Sequence, residues 1–326
     1  MILVRTPLRM SFFGGGSDMQ SYYRDAHGAV ISTTINKFMY LTVNKKFDDS
    51  IRLSYSKTEN KLICSDIEHP IVRNTLGHFG IKGGIEITSI SDIPSQGSGL
   101  GSSSSYSVAL IHALKKFQGQ ETSKDDLAKL ACFVEINLCG ENIGKQDQYA
   151  AAFGGLNLYE FRSDETVEVK KINCEESVLK SLEQSILVFY SGRTRRASDI
   201  LNQQSENLKK TNYRSIMKQM VDLVYDFKAA IEKGNIESIG ELLDANWKLK
   251  KQLSKGISDH EIDNWYERGV KSGALGGKLL GAGNGGFLMF IARKDKHKYI
   301  KEELKELNTI DLKFDKDGSK VVFSDN

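Results

Sequence analysis

Twelve consecutive residues, PSQGSGLGSSSS at positions 94–105, constrain this chain more than any other segment. Glycine and serine bury almost no apolar surface, and ordering so flexible a run is costly in backbone entropy. The run lies between a strand-like stretch at 84–90 and a helical pattern made by Tyr106, Ala109, Leu110, Ala113, Leu114 and Phe117, which Gly119 closes. That order makes a cradle for an oligophosphate. Gly97, Gly99 and Gly101 free several N–H groups to converge, the helix start adds the positive end of its dipole, and the serines offer hydroxyls to phosphate or Mg²⁺. A flexible linker is the competing reading, and the flanking strand and amphipathic helix disfavour it.

The chain has 326 residues, more than one core usually organises, so two domains are expected, divided near residue 183 into 1–183 and 184–326. With 45 basic against 42 acidic side chains the formal charge is +3, too small to argue for nucleic acid or an anionic membrane. Cys64, Cys132, Cys139 and Cys174 form no C-x-x-C pair and read as reduced thiols, and the six histidines show no zinc spacing. No stretch approaches the ~18 apolar residues of a membrane helix. A cytoplasmic soluble protein is expected.

Strands are expected at 1–4, 29–34, 39–44, 51–55 and 84–90, antiparallel by their turn-rich spacing. A helix from Ser123 follows, with Leu127, Leu130, Ala131, Val134 and Leu138 as its buried stripe. Strands at 157–161, 166–172 and 185–190 precede long helices at 196–209, 213–233, 236–251 and 259–271. The chain then passes a glycine loop at 281–286, a strand at 287–292, a helix near 295–307 and a last strand near 320–323. No G-x-x-x-x-G-K-[ST] occurs, which disfavours a classical P-loop enzyme. Gly281, Gly283 and Gly286 spell G-x-G-x-x-G, but a strand follows where a dinucleotide fingerprint needs a helix.

Three segments in order resemble the GHMP kinases, the family of galactokinase, homoserine kinase and mevalonate kinase: RTPLRMSFFGGGSD at 5–18, the loop at 94–105, and LGAGNGG at 280–286. Within that family RTPLRMSFFGGGSD, GKQDQYAAAFGG at 144–155 and TRRAS at 194–198 are similar to the D-glycero-D-manno-heptose 7-phosphate kinases. The resemblance implies an α+β, two-domain GHMP kinase fold: an N-terminal nucleotide-binding domain like ribosomal protein S5 domain 2, and an α/β sandwich C-terminal domain. It implies transfer of the ATP γ-phosphoryl, with Mg²⁺, to the anomeric hydroxyl of a heptose 7-phosphate, giving a 1,7-bisphosphate for nucleotide-activated heptose. The partners implied are a small sugar phosphate and neither nucleic acid nor membrane, and a homodimer is compatible. A fucokinase or galactokinase-like kinase of an unphosphorylated sugar is the nearest rival. A nucleotide-binding regulator without catalysis is the other, and it predicts loss of Asp147, Glu135 or the serines, all of which are present.

Residue by residue, the resemblance places Asp147 as catalytic base and Arg9 as the basic residue beside it. Pro94, Gly97, Gly99, Leu100, Gly101, Ser102, Ser103 and Ser104 form the nucleotide loop. Ser103 and Glu135 match the Mg²⁺ ligands, with Ser102 or Ser104 as alternatives one position away and a solvated helix face as the other reading of Glu135. Gly15, Gly16, Ser17 and Asp18 match the sugar-binding turn, although an Asp closing a turn explains Asp18 as well. Arg193, Arg195 and Arg196 are the densest arginine cluster, and a distal phosphate needs bidentate donors; Lys37 is a second choice, and a basic helix start the bland one. Gly283 is expected to let the second domain's backbone approach nucleotide and substrate.

Overall fold

The computed structural model describes residues 1–93, 97–193 and 197–325. Seven strands come first: β1 Ile2–Phe13, β2 Gly28–Lys45, β3 Ile51–Ser54, β4 Thr58–Lys61, β5 Ile85–Ser91, β6 Asn157–Phe161 and β7 Val167–Lys171. Six follow: β8 Ile186–Tyr190, β9 Ala274–Leu279, β10 Phe287–Ala292, β11 Asn308–Thr309, β12 Phe314–Asp315 and β13 Lys320–Ser324. The first sheet is built on β2, which pairs along its length with β1, at its start with β6 and at its end with β5. All these pairings are antiparallel; β3 alongside β5 is parallel. The second sheet has the order β11-β8-β10-β9 and is antiparallel throughout.

Two of the expected strands are longer than composition suggests. β1 runs on through RTPLRMSFF because its register against β2 shifts between Pro7 and Leu8, which is where a residue without an N–H is tolerated. Asn36 and Lys37 are the two residues of β2 left over at that shift, so the runs at 29–34 and 39–44 are one strand. Beyond the shift Leu8, Met10 and Phe12 enter a core with Met217, Val224 and Phe227, while Arg9 and Ser11 alternate with them. The Phe12 and Phe227 rings stack with centroids 5.5 Å apart.

That core joins the two parts of the molecule. It continues through helices Thr211–Glu232 and Ile236–Gln252 onto the second sheet. A separate core packs the first sheet against helices Pro70–His78, Ser102–Phe117, Lys124–Cys132 and Gln146–Phe153. The last two strands return to the first sheet, β12 on β2 and β13 on β1. All four cysteines are free, and among the described residues no helix is long and apolar enough to cross a membrane.

Candidate active site

The glycine-serine run ends on a helix N-terminus, as its composition requires. Gly97, Gly99 and Gly101 all have left-handed backbones, with φ of 67°, 75° and 75°. Gly101 precedes helix Ser102–Phe117, whose first backbone bond is donated by Ser105 to the Gly101 carbonyl at 2.9 Å. The N–H groups of Ser102, Ser103 and Ser104 therefore stand ahead of the ladder, at the positive end of the helix. Side chains pin the loop: Ser98 and Ser102 hydroxyls meet at 2.9 Å, Ser105 donates to the Pro7 carbonyl at 2.9 Å, and Leu100 is fully buried. Pro94 lies outside the described residues.

The second glycine loop presses on the first. A Cβ at Gly281 would stand 2.4 Å from Gly99 Cα, and one at Gly99 would stand 2.3 Å from the Leu280 carbonyl oxygen. A Cβ at Gly286 would meet the Ser98 carbonyl oxygen at 2.6 Å. Gly283 is different, because its Cβ would strike Ile257 Cα at 2.6 Å, so its freedom serves packing within the second part of the chain.

Arg9 of β1 ties this loop to the aspartate. Its Nε and Nη2 donate to the two carboxylate oxygens of Asp147 at 2.6 and 2.8 Å, its Nη1 donates to the Gly99 carbonyl at 2.7 Å, and its backbone N–H to the Leu100 carbonyl at 3.0 Å. Asp147 stands in the first turn of helix Gln146–Phe153. Both oxygens hold a guanidinium N–H and retain a further lone pair for an incoming hydroxyl.

The segment Gly144-Lys-Gln-Asp147 has a physical reason at each position. A Cβ at Gly144 would lie 1.8 Å from Asp18 Oδ2, so only glycine lets Asp18 reach the helix start. There Oδ2 accepts from the Gln146 backbone at 3.1 Å, and Oδ1 accepts from Gly16 N–H at 2.9 Å and from Gln146 Nε2 at 3.2 Å. Burial raises the Asp18 carboxyl despite these bonds. Lys145 donates to Glu165 Oε2 at 2.6 Å, anchoring the segment on the hairpin between β6 and β7. Ser17 is spent on structure, donating to the Ala29 carbonyl at 2.9 Å and accepting from Ala29 N–H at 3.0 Å.

Glu135 sits in a π-helical turn, Phe133–Leu138, that extends helix Lys124–Cys132. The carboxylate is 1% exposed; Oε1 accepts from Ser103 at 3.0 Å and Oε2 from Gln148 at 2.7 Å. Among the described residues no basic side chain lies within 4.0 Å of it. Burial pushes it up to about 7.

These groups line one cleft of about 680 Å³, together with Ser11, Gly15, Gly16, Lys250, Lys278 and helix Ala197–Asn207. Arg193 is not in its wall: its Nη1 lies 2.9 Å from both Asp259 and Glu261. Arg195 and Arg196 lie outside the described residues. Sequence reasoning does not single out the two lysines. Lys250 donates to the Gly15 carbonyl at 2.9 Å and Gln204 Oε1 at 3.0 Å, and Lys278 to the carbonyls of Ser11 and Phe12 at 3.1 and 3.2 Å. Both leave a trace there, Lys250 because it falls on the buried stripe of Ile239, Leu243 and Trp247, and Lys278 as the one charge in an apolar strand, ALGGKL.

Residues 67–155 match the family described as GHMP kinases N terminal domain, and 227–309 match GHMP kinases C terminal. The D-glycero-alpha-D-manno-heptose 7-phosphate kinase of Campylobacter jejuni is 31% identical over 98% of this chain and 98% of its own length. The chain belongs to the GHMP kinases. It is accordingly an ATP-dependent sugar kinase. The bifunctional fucokinase/GDP-fucose pyrophosphorylase of Arabidopsis thaliana is 25% identical over 95% of this chain, which spans 32% of that protein. In fold, the crystal structure of a D-glycero-D-manno-heptose 1-phosphate kinase from Bacteroides thetaiotaomicron superposes with a TM-score of 0.82 at 23% identity, covering 99% of this chain and 100% of that one. The GHMP matches contain the phosphate cradle, Glu135, Asp147 and both lysines, whereas Arg9 and Asp18 come from the chain ahead of them.

Proposed function

We propose that this GHMP kinase transfers the γ-phosphoryl of ATP to the anomeric hydroxyl of D-glycero-D-manno-heptose 7-phosphate, giving the 1,7-bisphosphate. The observation that carries the reading is the Arg9–Asp147 pair, held by a guanidinium N–H against the Gly99 carbonyl of the phosphate cradle. A base fixed to the loop that holds the nucleotide has its acceptor hydroxyl beside the γ-phosphoryl by construction. Likeness over the whole length of the Campylobacter jejuni heptose 7-phosphate kinase supports the sugar.

In this reading the amides of residues 97–104 wrap the oligophosphate, whose contacts offset the ordering cost of the loop. Asp18 and the turn at Gly15 and Gly16 seat the sugar hydroxyls, and Asp147 takes the anomeric proton as oxygen attacks phosphorus. Arg9 keeps Asp147 in place and turns positive charge towards the transferring group. The cleft limits water, which otherwise competes as acceptor. The division at residue 183 belongs to the proposal, the first part carrying cradle and base and the second the closing glycine loop.

Ser103 and Glu135 fit Mg²⁺, since a hydroxyl and a carboxylate are hard oxygen donors and the buried carboxylate lacks a cationic partner among the described residues. Bound there, Mg²⁺ would neutralise phosphate charge. Glu135→Gln separates that role from packing. A carboxyl raised from 4.5 to about 7 binds protons more tightly folded than unfolded, so it weakens the fold as pH rises from about 4.5 to 7. The ligand-free variant is therefore expected to melt above the parent at pH 8 and close to it at pH 5, while its requirement for Mg²⁺ rises at least about tenfold, as outer or inner ligand losses do. Equal melting at both pH values would contradict the burial argument.

The substrate is tested by ADP release with ATP and Mg²⁺ across the heptose 7-phosphate, the free heptose, mannose 6-phosphate, fucose and galactose. Turnover of the heptose phosphate above all others is expected. Turnover of free sugars alone would replace the reading with the fucokinase or galactokinase one, and ATP binding without any turnover would replace it with a regulator.

A further inference from the structure

Lys250 and Lys278 are 6% and 5% exposed, yet among the described residues neither has a carboxylate oxygen within 4.0 Å. Among the described residues each donates twice, only to neutral oxygens, and an ammonium has three N–H groups, so one on each is available to a ligand. Burial drives Lys250 down to about 8, and burial with the neighbouring charges of Lys250 and Arg9 drives Lys278 down to about 7. Asp18 is the acidic group whose charge reaches Lys250, and burial disfavours its ionised form too. Two like charges buried with no carboxylate in ion-pair contact among the described residues cost the fold stability that an apolar pair would not.

In and behind the same wall are buried polar atoms that lack partners among the described residues: Ser11 Oγ, Gln146 Oε1 and, behind Lys250, Gln204 Nε2. The missing side chain of Gly15 leaves room over Ser11 and Gln146, because a Cβ there would be 3.7 Å from Ser11 Oγ and from Gln146 Nε2. Every one of these residues except Gln204 lines the cleft that contains Asp147, and Gln204 bonds Lys250. A dianion entering this wall would supply the two absent negative charges and acceptors for the free donors. The phosphates of the nucleotide have their own donors at the Ser102 helix start.

We propose that Lys250 and Lys278 seat the phosphate group that the sugar substrate already carries, and so select a phosphorylated over a free sugar. The assignment rests on the substrate reading above. Of the three arginines of which at least one is expected at that phosphate, Arg193 has its charge met by Asp259 and Glu261, and Arg195 and Arg196 lie outside the described residues.

The test compares Lys250→Met and Lys278→Met with the parent on heptose 7-phosphate and on free heptose. Charge-assisted bonds in a dry site lead us to expect kcat/KM for the phosphorylated sugar to fall about ten- to hundredfold in each variant, and for the free sugar by less than about threefold. Melting temperatures are expected to change little, since removing a buried charge offsets the loss of two hydrogen bonds to buried oxygens. Equal losses on both sugars, retained preference for the phosphate, or a loss expressed in the KM for ATP would each overturn the assignment. If a Met variant does not fold, Lys250→Gln and Lys278→Gln, which keep an N–H for the carbonyls, are read by the same criteria. Should the parent not turn over the sugar phosphate, the substrate reading fails on its own, and inorganic phosphate becomes the probe. With the cradle saturated by a non-hydrolysable ATP analogue, phosphate should raise the melting temperature of the parent but not of the Lys250→Met, Lys278→Met double variant. The same shift in both, or none in the parent, would overturn the site itself.

Discussion

Asp147→Asn is expected to lower kcat by about 10²–10⁴-fold, the range that a positioned base contributes, while the affinity for ATP changes by less than about threefold. The substitution keeps volume and one oxygen for Arg9 but removes the acceptor for the anomeric proton. Because Arg9 still bonds Gly99 through Nη1, the phosphate cradle keeps its anchor and nucleotide binding is spared. Steady-state kinetics alongside calorimetric titration with the nucleotide separate the two effects. A kcat within about tenfold of the parent would mean that orientation and electrostatics carry the reaction and that Asp147 is a positioning residue.

Gly281→Ala is expected to cost far more than a methyl group added in open space. Its Cβ would stand 2.4 Å from Gly99 Cα and 3.2 Å from the Gly99 oxygen, backbone atoms that cannot rotate away, and its φ is +85°. Left-handed strain and overpacking together amount to about 2–6 kcal/mol, which the molecule can relieve by parting the two glycine loops. Either route has a reading: a lower melting temperature, or a KM for ATP raised at least about tenfold as the cradle opens. Gly119→Ala is the control, with φ +71° but nothing within 4 Å of the added carbon, so it carries only the conformational part of the cost. Equal behaviour of the two variants would show that the close approach of the loops is of no consequence.

Those parts of the site that consist of local chemistry are legible in the amino-acid sequence. The cradle at 97–104 announces itself because phosphate recognition by amides needs consecutive glycines and a helix start, and both are contiguous in the chain. Asp147 and Arg9 come from motif likeness, and the fold brings them together across 138 positions. The first strand is legible only to residue 4, since Pro7 and the two residues left over opposite it, Asn36 and Lys37, break the alternation at the bulge. Helices Pro70–His78 and Glu176–Ser185 escape a reading by pattern because each buries only a few side chains, leaving little periodic signal. Helix Gln146–Phe153 is hidden in a segment whose chemistry is more conspicuous than its period.

Charge is the least legible property. The arginine at 193 stands out by local density, yet its partner Glu261 lies 68 positions away and no window of sequence contains both. Lys250 and Lys278 leave only a faint trace among 45 basic residues, because burial, which makes them unusual, is a property of the fold. Asp18 fits both a sugar contact and a turn closure in sequence. Its carboxylate does bond Gly16 within the turn, and it also bonds the helix that carries Asp147, a connection set by tertiary packing.

Phosphorus-31 NMR of the product formed from D-glycero-D-manno-heptose 7-phosphate, ATP and Mg²⁺ is the most direct test of the central claim. One new phosphate ester coupled to the anomeric proton, equal in amount to the ADP formed and absent with Asp147→Asn, is the result expected. ADP and free phosphate without a new ester, or an ester at another carbon, would contradict it.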